Sequence, residues 1–298
     1  MLGAKGLSPA QAMRGRKLEG AMIEGRPSET AQRVAAHRLA FERVATDYGN
    51  PAADMALATD VAGWPQHGLS GGRMHDYLRA RTAFFDRVVV AALERGFTQV
   101  VIGAAGYDGR ALRYAKPGVT WFEVDLPSTQ QDKIARLGRL GIGTEHVRFV
   151  EADFASDPVA ERLLAAGLSL SGPSLFLLEG VAVYLDRPVL ERALRQFAQA
   201  AGPDSRLAIS MSIDSDAHDP EARSRFREAV AAMGEPARLT LELDEAIELL
   251  ASTGWQELAA MDAADSPADE DSEDDSDEAA QERRRWAGLL IAKTPAVA

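Results

Sequence analysis

A glycine-rich turn and a later acidic residue are the features of this sequence best suited to chemistry. Gly103, Gly106 and Gly109 follow a short apolar run, and Asp125 ends a second apolar run nineteen positions after Gly106. Glycine lets a ligand approach the backbone, and a carboxylate about 20 residues later can accept hydrogen bonds from ribose hydroxyls. The pattern predicts a site for a nucleoside-containing cofactor, and the alternative is an ordinary strand-to-helix connection.

The glycine spacing and Asp108 indicate which nucleoside is bound. Dinucleotide sites usually carry G-x-G-x-x-G, which places a pyrophosphate at a helix N-terminus. Here the glycines are three residues apart, and Asp108 lies inside the turn. A carboxylate there repels a diphosphate but suits the sulfonium or ammonium of S-adenosylmethionine. We therefore favour S-adenosylmethionine over NAD.

Apolar runs alternate with helical patterns through the middle of the chain, which indicates a parallel sheet covered by helices on both faces. Ligands of such sheets bind at the carboxyl ends of the strands. Strands are expected at 98–103, 120–124, 147–150, 174–178 and 206–211, with helices at 126–140, 158–166, 187–201 and 220–233. A helix at 243–252 and an antiparallel hairpin of strands at 255–261 and 286–292 complete the prediction.

The N-terminal region is predicted to be helical. Ser28 is expected to cap a helix whose apolar stripe continues to Tyr48, with His37 as a core residue inside it. The stretch 49–72 is rich in glycine and proline, and a loop of that length favours a functional lid. The region 28–96 is therefore interpreted as a helical cap and lid.

Arg81 lies on the apolar face of a second predicted helix, which runs from Met74 to Arg95. An unpaired guanidinium inside a core is very costly, so Arg81 needs an anionic partner. That partner is either an internal carboxylate or the carboxylate of a ligand.

Composition limits the class of protein. The net charge of −12 and the pI near 5.0 argue against a nucleic-acid partner, and no apolar run is long enough for a membrane span. Cysteine is absent, which excludes disulfides and thiolate metal sites. We expect a cytoplasmic protein with a disordered basic leader at 1–27, one domain at 28–298 and a disordered acidic loop at 262–279.

Further acidic residues fall at predicted strand ends. Asp153 and Phe154 follow the third strand, and Glu179 follows the fourth. An acid beside an aromatic ring suits a purine, because the carboxylate accepts from the exocyclic amine while the ring packs on the base. With Asp108 and Asp125, these acids are expected to converge at one edge of the sheet.

Four segments carry a resemblance to a known family. They are residues 106–110 (Gly-Tyr-Asp-Gly-Arg), 122–127 (Phe-Glu-Val-Asp-Leu-Pro), 153–154 (Asp-Phe) and 178–185 (Leu-Glu-Gly-Val-Ala-Val-Tyr-Leu). Together they resemble leucine carboxyl methyltransferases, including bacterial polyketide carboxyl methyltransferases. The helix at 28–42 resembles the N-terminal cap helix of that family.

The resemblance implies the class I methyltransferase fold. This is a Rossmann-like α/β fold with a seven-stranded, mostly parallel sheet and an N-terminal helical cap, and it uses S-adenosylmethionine as methyl donor. No metal site is expected in this sequence. The residues implied to bind the cofactor are Arg81 (methionine carboxylate), Gly103 and Gly106 (turn), Asp125 (ribose), Asp153 and Phe154 (adenine), and Glu179 (near the methionine ammonium).

The chain departs from the family pattern at two places. Ala104 stands where the family turn usually has a glycine, and Gln32 stands where the eukaryotic enzymes have a basic residue in the cap helix. The alanine is expected to crowd the cofactor and weaken its binding.

The predicted reaction is methyl transfer to an oxygen of a small molecule, specifically a carboxylate. A carboxylate is already ionised at neutral pH, so the reaction needs no general base. Tyr184 and the segment 64–72 are the candidates for lining the acceptor pocket. The alternatives are a non-catalytic cofactor-binding or interaction protein and, less favoured, an NAD-dependent oxidoreductase.

Overall fold

The computed structural model describes residues 27–63, 73–213, 238–257 and 288–295, except for the side chains of residues 73 and 74. The leader (apart from Pro27), the segment 64–72, the helix expected at 220–233 and the acidic loop lie outside the described residues.

A seven-stranded sheet forms the centre of the molecule, in the order β3-β2-β1-β4-β5-β7-β6. Strands β1 to β5 pair in parallel, and β7 runs antiparallel between β5 and β6. The predicted seven-stranded, mostly parallel sheet and its final antiparallel pair are therefore confirmed. The strands are β1 Gln99–Gly103, β2 Thr120–Asp125, β3 Val147–Glu151, β4 Leu175–Leu178, β5 Arg206–Ser210, β6 Gln256–Glu257 and β7 Leu289–Lys293.

Helices cover both faces of the sheet because successive strand residues point to opposite sides. On β1, Val101 packs into one apolar cluster, whereas Val100 and Ile102 pack into another. The helices are α1 Glu29–Arg38, α2 Pro51–Ala62, α3 Arg73–Glu94, α4 Arg110–Arg113, α5 Pro127–Arg139, α6 Val159–Ala165, α7 Arg187–Gln199 and α8 Leu243–Ser252, with a 3-10 turn at Ala182–Tyr184. No described helix combines the length and the apolar character needed to cross a bilayer.

Two predictions for the N-terminal region are wrong. Helix α1 ends at Arg38 instead of continuing to Tyr48. The later apolar residues of the predicted stripe do not share one helix face but pack in different places. Phe41 packs against His75, whereas Val44 and Tyr48 pack on the cluster formed by α3 and β1. The region expected to be a loop at 49–72 contains α2, which Asn50 caps by accepting a hydrogen bond from the backbone N–H of Ala53.

The strand order reverses between β1 and β4. Chain connections proceed from β1 through β2 to β3 on one side and from β4 to β5 on the other. Ligands of open α/β sheets bind at the carboxyl ends of the strands at such a point. The glycine turn follows β1 and Glu179 follows β4, so both lie where a ligand site is expected.

Candidate cofactor-binding site

The turn after β1 contains two residues in the left-handed region, Ala104 at φ 50° and Gly106 at φ 49°. Glycine adopts this conformation freely, whereas alanine pays about 1–2 kcal/mol. The departure from the family pattern at Ala104 is therefore a strained residue. Gly103 has a packing role, because a Cβ there would lie 2.8 Å from Cζ of Phe197.

Asp125 ends β2 beside this turn. Its Oδ2 accepts a hydrogen bond from the backbone N–H of Gly106 at 2.5 Å, and its Oδ1 accepts from that of Leu126 at 2.7 Å. Burial raises the pKa of Asp125, and the two backbone donors partly oppose this effect. The carboxylate is thereby held in one orientation next to Gly106.

Helix α1 lies directly over the glycine turn. Ser28 caps the helix by accepting from Ala31 N–H, and its own N–H donates to Oγ1 of Thr129 at 3.3 Å. A Cβ at Gly106 would lie 2.9 Å from Cβ of Ala31. The cap helix therefore approaches the turn as closely as a glycine permits.

Glu179, at the end of β4, is surrounded by three guanidinium groups. Its Oε1 accepts from Nε of Arg81 at 3.0 Å, and its Oε2 accepts from Arg38 at 2.9 Å and from Arg110 at 2.5 Å. Burial alone would raise the pKa of Glu179, but the three arginines hold it below its usual range. Arg81 therefore has an internal carboxylate partner, one of the two alternatives set out above.

Arg110 connects this centre to two further carboxylates. Its guanidinium donates to Asp86 at 2.7 Å and to Asp108 at 2.6 Å, and its side chain is fully buried. Arg38 also reaches Asp108, at 3.3 Å. Because Asp108 is neutralised inside the protein, its charge does not by itself distinguish a cationic ligand from an anionic one.

The charged network extends behind the turn, where Arg43 pairs with both Asp86 and Asp54. Asp54 also pairs with Arg113 at 2.5 Å. Gly109 permits this approach, because a Cβ there would overlap the Asp54 carboxylate. Among the described residues, the connected network holds five guanidinium groups and four carboxylates, which leaves one positive charge in excess.

Asp153 and Phe154 follow β3, the strand next to β2. The Asp153 carboxylate accepts from the backbone N–H of Ala155 at 2.8 Å within its own loop. Phe154 is buried, with its ring centroid 5.7 Å from that of Phe197. The structure places both residues at the predicted sheet edge, and their role toward adenine stays a prediction.

Tyr184 lies half-buried in the 3-10 turn that follows Glu179. The other candidate for the acceptor pocket, the segment 64–72, is outside the described residues. In the part of the chain that the structure describes, no group of three or more potential ligand side chains is placed to hold a metal ion.

Sequence reasoning did not identify Arg38, Arg110 or Asp86 as members of this site. The cap residue whose charged side chain pairs with Glu179 and Asp108 is Arg38, which lies six residues after Gln32. Asp86 could have been predicted from the sequence. Like Arg81, it is a charged residue on a buried helix, and it lies among the apolar residues Phe84, Phe85 and Val88.

Comparison with known proteins supports the predicted fold and family. The family model described as leucine carboxyl methyltransferase matches residues 27–198. A Parafrankia sp. (strain EAN1pec) protein named "Putative S-adenosyl-L-methionine-dependent methyltransferase" is 40% identical over 139 residues, 46% of this chain and 44% of that protein. A Mycobacterium bovis protein with the same name is 31% identical over 241 residues, 78% of this chain and 76% of that protein.

The chain thus spans about half the length of the Parafrankia relative and about three quarters of the Mycobacterium one. A crystal structure titled as a "putative methyltransferase" from Thermobifida fusca YX matches with a TM-score of 0.56 at 18% identity, covering 92% of this chain and 97% of that one. The predicted class I methyltransferase fold is confirmed. Because the family model covers more than half of the sequence, the chain belongs to the leucine carboxyl methyltransferase family.

Proposed function

We propose that this chain transfers a methyl group from S-adenosylmethionine to a carboxylate oxygen of a small molecule. The observation that carries the proposal is the Arg81–Glu179 pair at the end of β4, at the point where the strand order reverses. The amino-acid end of the cofactor has one carboxylate and one ammonium group. Arg81 and Glu179 present the complementary charges side by side.

The remaining cofactor contacts follow from the turn and from Asp125. An ionised carboxylate has about four lone-pair positions, and Asp125 uses two of them on backbone donors. Two positions are left for the ribose hydroxyls. Asp153 and Phe154 are the proposed adenine contacts, and the relatives from Parafrankia and Mycobacterium bovis bear the name of the same cofactor.

The acidic residues of the site favour an acceptor that is already ionised. Bound S-adenosylmethionine supplies an electrophilic methyl group. Glu179 and Asp108 are poor bases, because neighbouring arginines hold their pKa values well below the usual range despite burial. A carboxylate acceptor needs no base at neutral pH. The contribution of the protein is then to orient the two substrates and to exclude water beneath α1.

Calorimetric titration with S-adenosylhomocysteine, with NAD as the control ligand, tests the cofactor assignment. We expect binding of the first alone. Asp125→Asn and Arg81→Met should each weaken binding about 10- to 100-fold, the loss of one charge-assisted contact. Glu151→Gln is the matched control, since this exposed acid ends the neighbouring strand β3. Unchanged affinity in both site variants would refute the assignment.

Incubation with methyl-labelled S-adenosylmethionine and a panel of carboxylic acids tests the reaction. The expected product is a base-labile methyl ester detected by mass spectrometry. Cofactor binding without transfer to any acid would instead support the non-catalytic alternative. The cytoplasmic location and the lack of a nucleic-acid partner stay predictions from the sequence.

A further inference from the structure

One buried ammonium group lies behind the glycine turn. It belongs to Lys133 on the inner face of α5, where the side chain is 2% exposed. Its Nζ donates to the backbone carbonyl oxygen of Asp108 at 2.7 Å and to Oε2 of Glu123 at 2.6 Å. A buried lysine is costly unless its charge is paired and its protons are hydrogen-bonded. Lys133 meets this requirement by joining the turn after β1 to strand β2.

The contact with Asp108 holds the backbone of the turn. Asp108 is buried, and no backbone N–H of a described residue donates to its carbonyl oxygen. Buried carbonyl oxygens need a hydrogen-bond donor, and Lys133 supplies it here. Ala104, in the same turn, has a left-handed φ of 50°, and such a conformation persists only where the surrounding structure fixes it. The ammonium group is one of the contacts that fix this turn.

The contact with Glu123 ties the turn to the strand that carries Asp125. The two acids are two residues apart on β2, so their side chains point to the same face. Oδ2 of Asp125 accepts from the backbone N–H of Gly106, within the turn. Gln130, three residues before Lys133 on α5, donates to the carbonyl oxygen of Glu123 at 2.9 Å. The turn is thus attached to β2 at two points, directly through Asp125 and farther along the chain through Lys133.

We infer that Lys133 is a positioning residue of the cofactor site, because it holds the glycine turn at the separation from Asp125 that the ribose of the cofactor requires. The inference rests on the proposed function, and it adds to that site a residue that acts through the turn. The charge of Lys133 also acts on Asp125. Burial raises the pKa of Asp125, and the two backbone donors and the Lys133 ammonium group oppose this effect. An ionised carboxylate is an acceptor at both oxygens, as the two ribose hydroxyls require.

A double substitution separates positioning from simple charge neutralisation. Lys133→Met leaves the Glu123 carboxylate buried without its partner, so the melting temperature should fall. Lys133→Met/Glu123→Met removes both charges at similar volume, a replacement that is often neutral for stability, and it should recover most of that loss. The carbonyl oxygen of Asp108 still lacks its donor in the double variant. We therefore expect calorimetric titration to show that its affinity for S-adenosylhomocysteine stays about tenfold weaker than that of the wild type.

Lys116→Met is the matched control. Nζ of Lys116 also donates to a backbone carbonyl oxygen, that of Leu93 at 2.9 Å. Lys116 precedes β2, however, and therefore lies at the end of the strand opposite to Asp125. This variant should bind S-adenosylhomocysteine as tightly as the wild type does.

Hydrogen exchange of the unliganded wild type supplies a test that needs no substitution. Three amides of the turn are hydrogen-bonded, those of Ala105 to the Val124 carbonyl oxygen, Gly106 to Asp125 and Asp108 to the Ala105 carbonyl oxygen. If the turn is held before the cofactor arrives, these amides exchange slowly in the free protein. In the double variant they should exchange faster, whereas the amides of β4 should keep their wild-type rates.

Three results would overturn the inference. They are wild-type affinity in the double variant, an equal loss of affinity in Lys116→Met, and fast exchange of the turn amides in the free wild type. Each of them, obtained while the wild type binds S-adenosylhomocysteine, would remove this inference alone. Absence of binding by the wild type would remove the proposed function as well.

Discussion

Replacing Gly106 by alanine tests whether α1 lies directly on the glycine turn. The backbone at φ 49° costs an alanine about 1–2 kcal/mol, of which about 0.4–1 kcal/mol is offset by the reduced entropy of the unfolded chain. The new Cβ would lie 2.9 Å from Cβ of Ala31, whereas carbon atoms normally approach to about 3.5–4.0 Å. Overpacking of this kind costs about 1–3 kcal/mol. We therefore expect a total destabilisation of about 2–4 kcal/mol.

Gly118→Ala is the matched control for this substitution. Gly118 has φ 82°, and no atom lies within 4 Å of the position its Cβ would take. Only the backbone cost applies there, so the expected loss is about 1 kcal/mol. Urea denaturation of both variants measures the two losses of stability. Their expected difference of about 1–3 kcal/mol is the cost of the new contact with α1.

The double variant Ala31→Gly/Gly106→Ala completes the test. Ala31→Gly alone should cost about 1 kcal/mol through helix propensity, but it also removes the methyl group that Gly106→Ala meets. The double variant should therefore be more stable than the sum of the single changes predicts. Additive losses, or equal losses for Gly106→Ala and Gly118→Ala, would refute the placement of α1 on the turn.

Three further predictions concern the buried charges. Arg110→Met removes a partner from three buried carboxylates, so we expect urea denaturation to show that the free energy of unfolding falls by at least about 3–5 kcal/mol. A decrease below about 1 kcal/mol would contradict the network. Glu179→Gln removes a carboxylate with a lowered pKa. The contribution of that carboxylate to the free energy of unfolding is fully present above its unfolded pKa of 4.5 and is lost as the pH falls toward its folded pKa of about 2. The variant should therefore lose less stability than the wild type between about pH 4.5 and pH 2. An unchanged pH slope would argue against the pairing. Lys133→Met removes the ammonium group that lies 2.6 Å from the buried carboxylate of Glu123, and thermal unfolding should show a comparable loss of stability. An unchanged melting temperature would contradict the burial of this pair.

The sheet could be predicted because its strands are marked by local composition. The runs that became β1, β2 and β4 are apolar at nearly every position, as strands covered on both faces must be. Their predicted bounds differ from the structure by one residue at most. Helix α2 was missed because prolines and glycines around it indicated a loop, although Asn50 and Pro51 are a capping residue and a typical first helical residue.

The candidate site could be predicted where its residues follow strand ends or where, as with Arg81, a charged residue lies on the apolar face of a helix. Glu179 and Asp125 were identified because topology alone brings the carboxyl ends of neighbouring parallel strands together. Arg38 was not identified, since 141 residues separate it from Glu179 and its neighbours in the sequence do not indicate which carboxylate it pairs with. The prediction that α1 continues beyond Arg38 was wrong because the spacing of apolar residues does not show which partners they pack against. Phe41 packs against His75, whereas Val44 packs on the cluster formed by α3 and β1.

The buried charges explain why the cap has one position over the sheet. The carboxylates belong to α2, the glycine turn, α3 and the end of β4, whereas Arg38 comes from α1 and Arg110 from α4. Such pairs add little net stability, because the cost of removing both charges from water nearly equals their attraction. A misplaced α1, however, would leave Glu179 and Asp108 with fewer partners, at several kcal/mol. The network therefore acts mainly by penalising wrong arrangements, which is a property of the packed helices and not of any single segment of sequence.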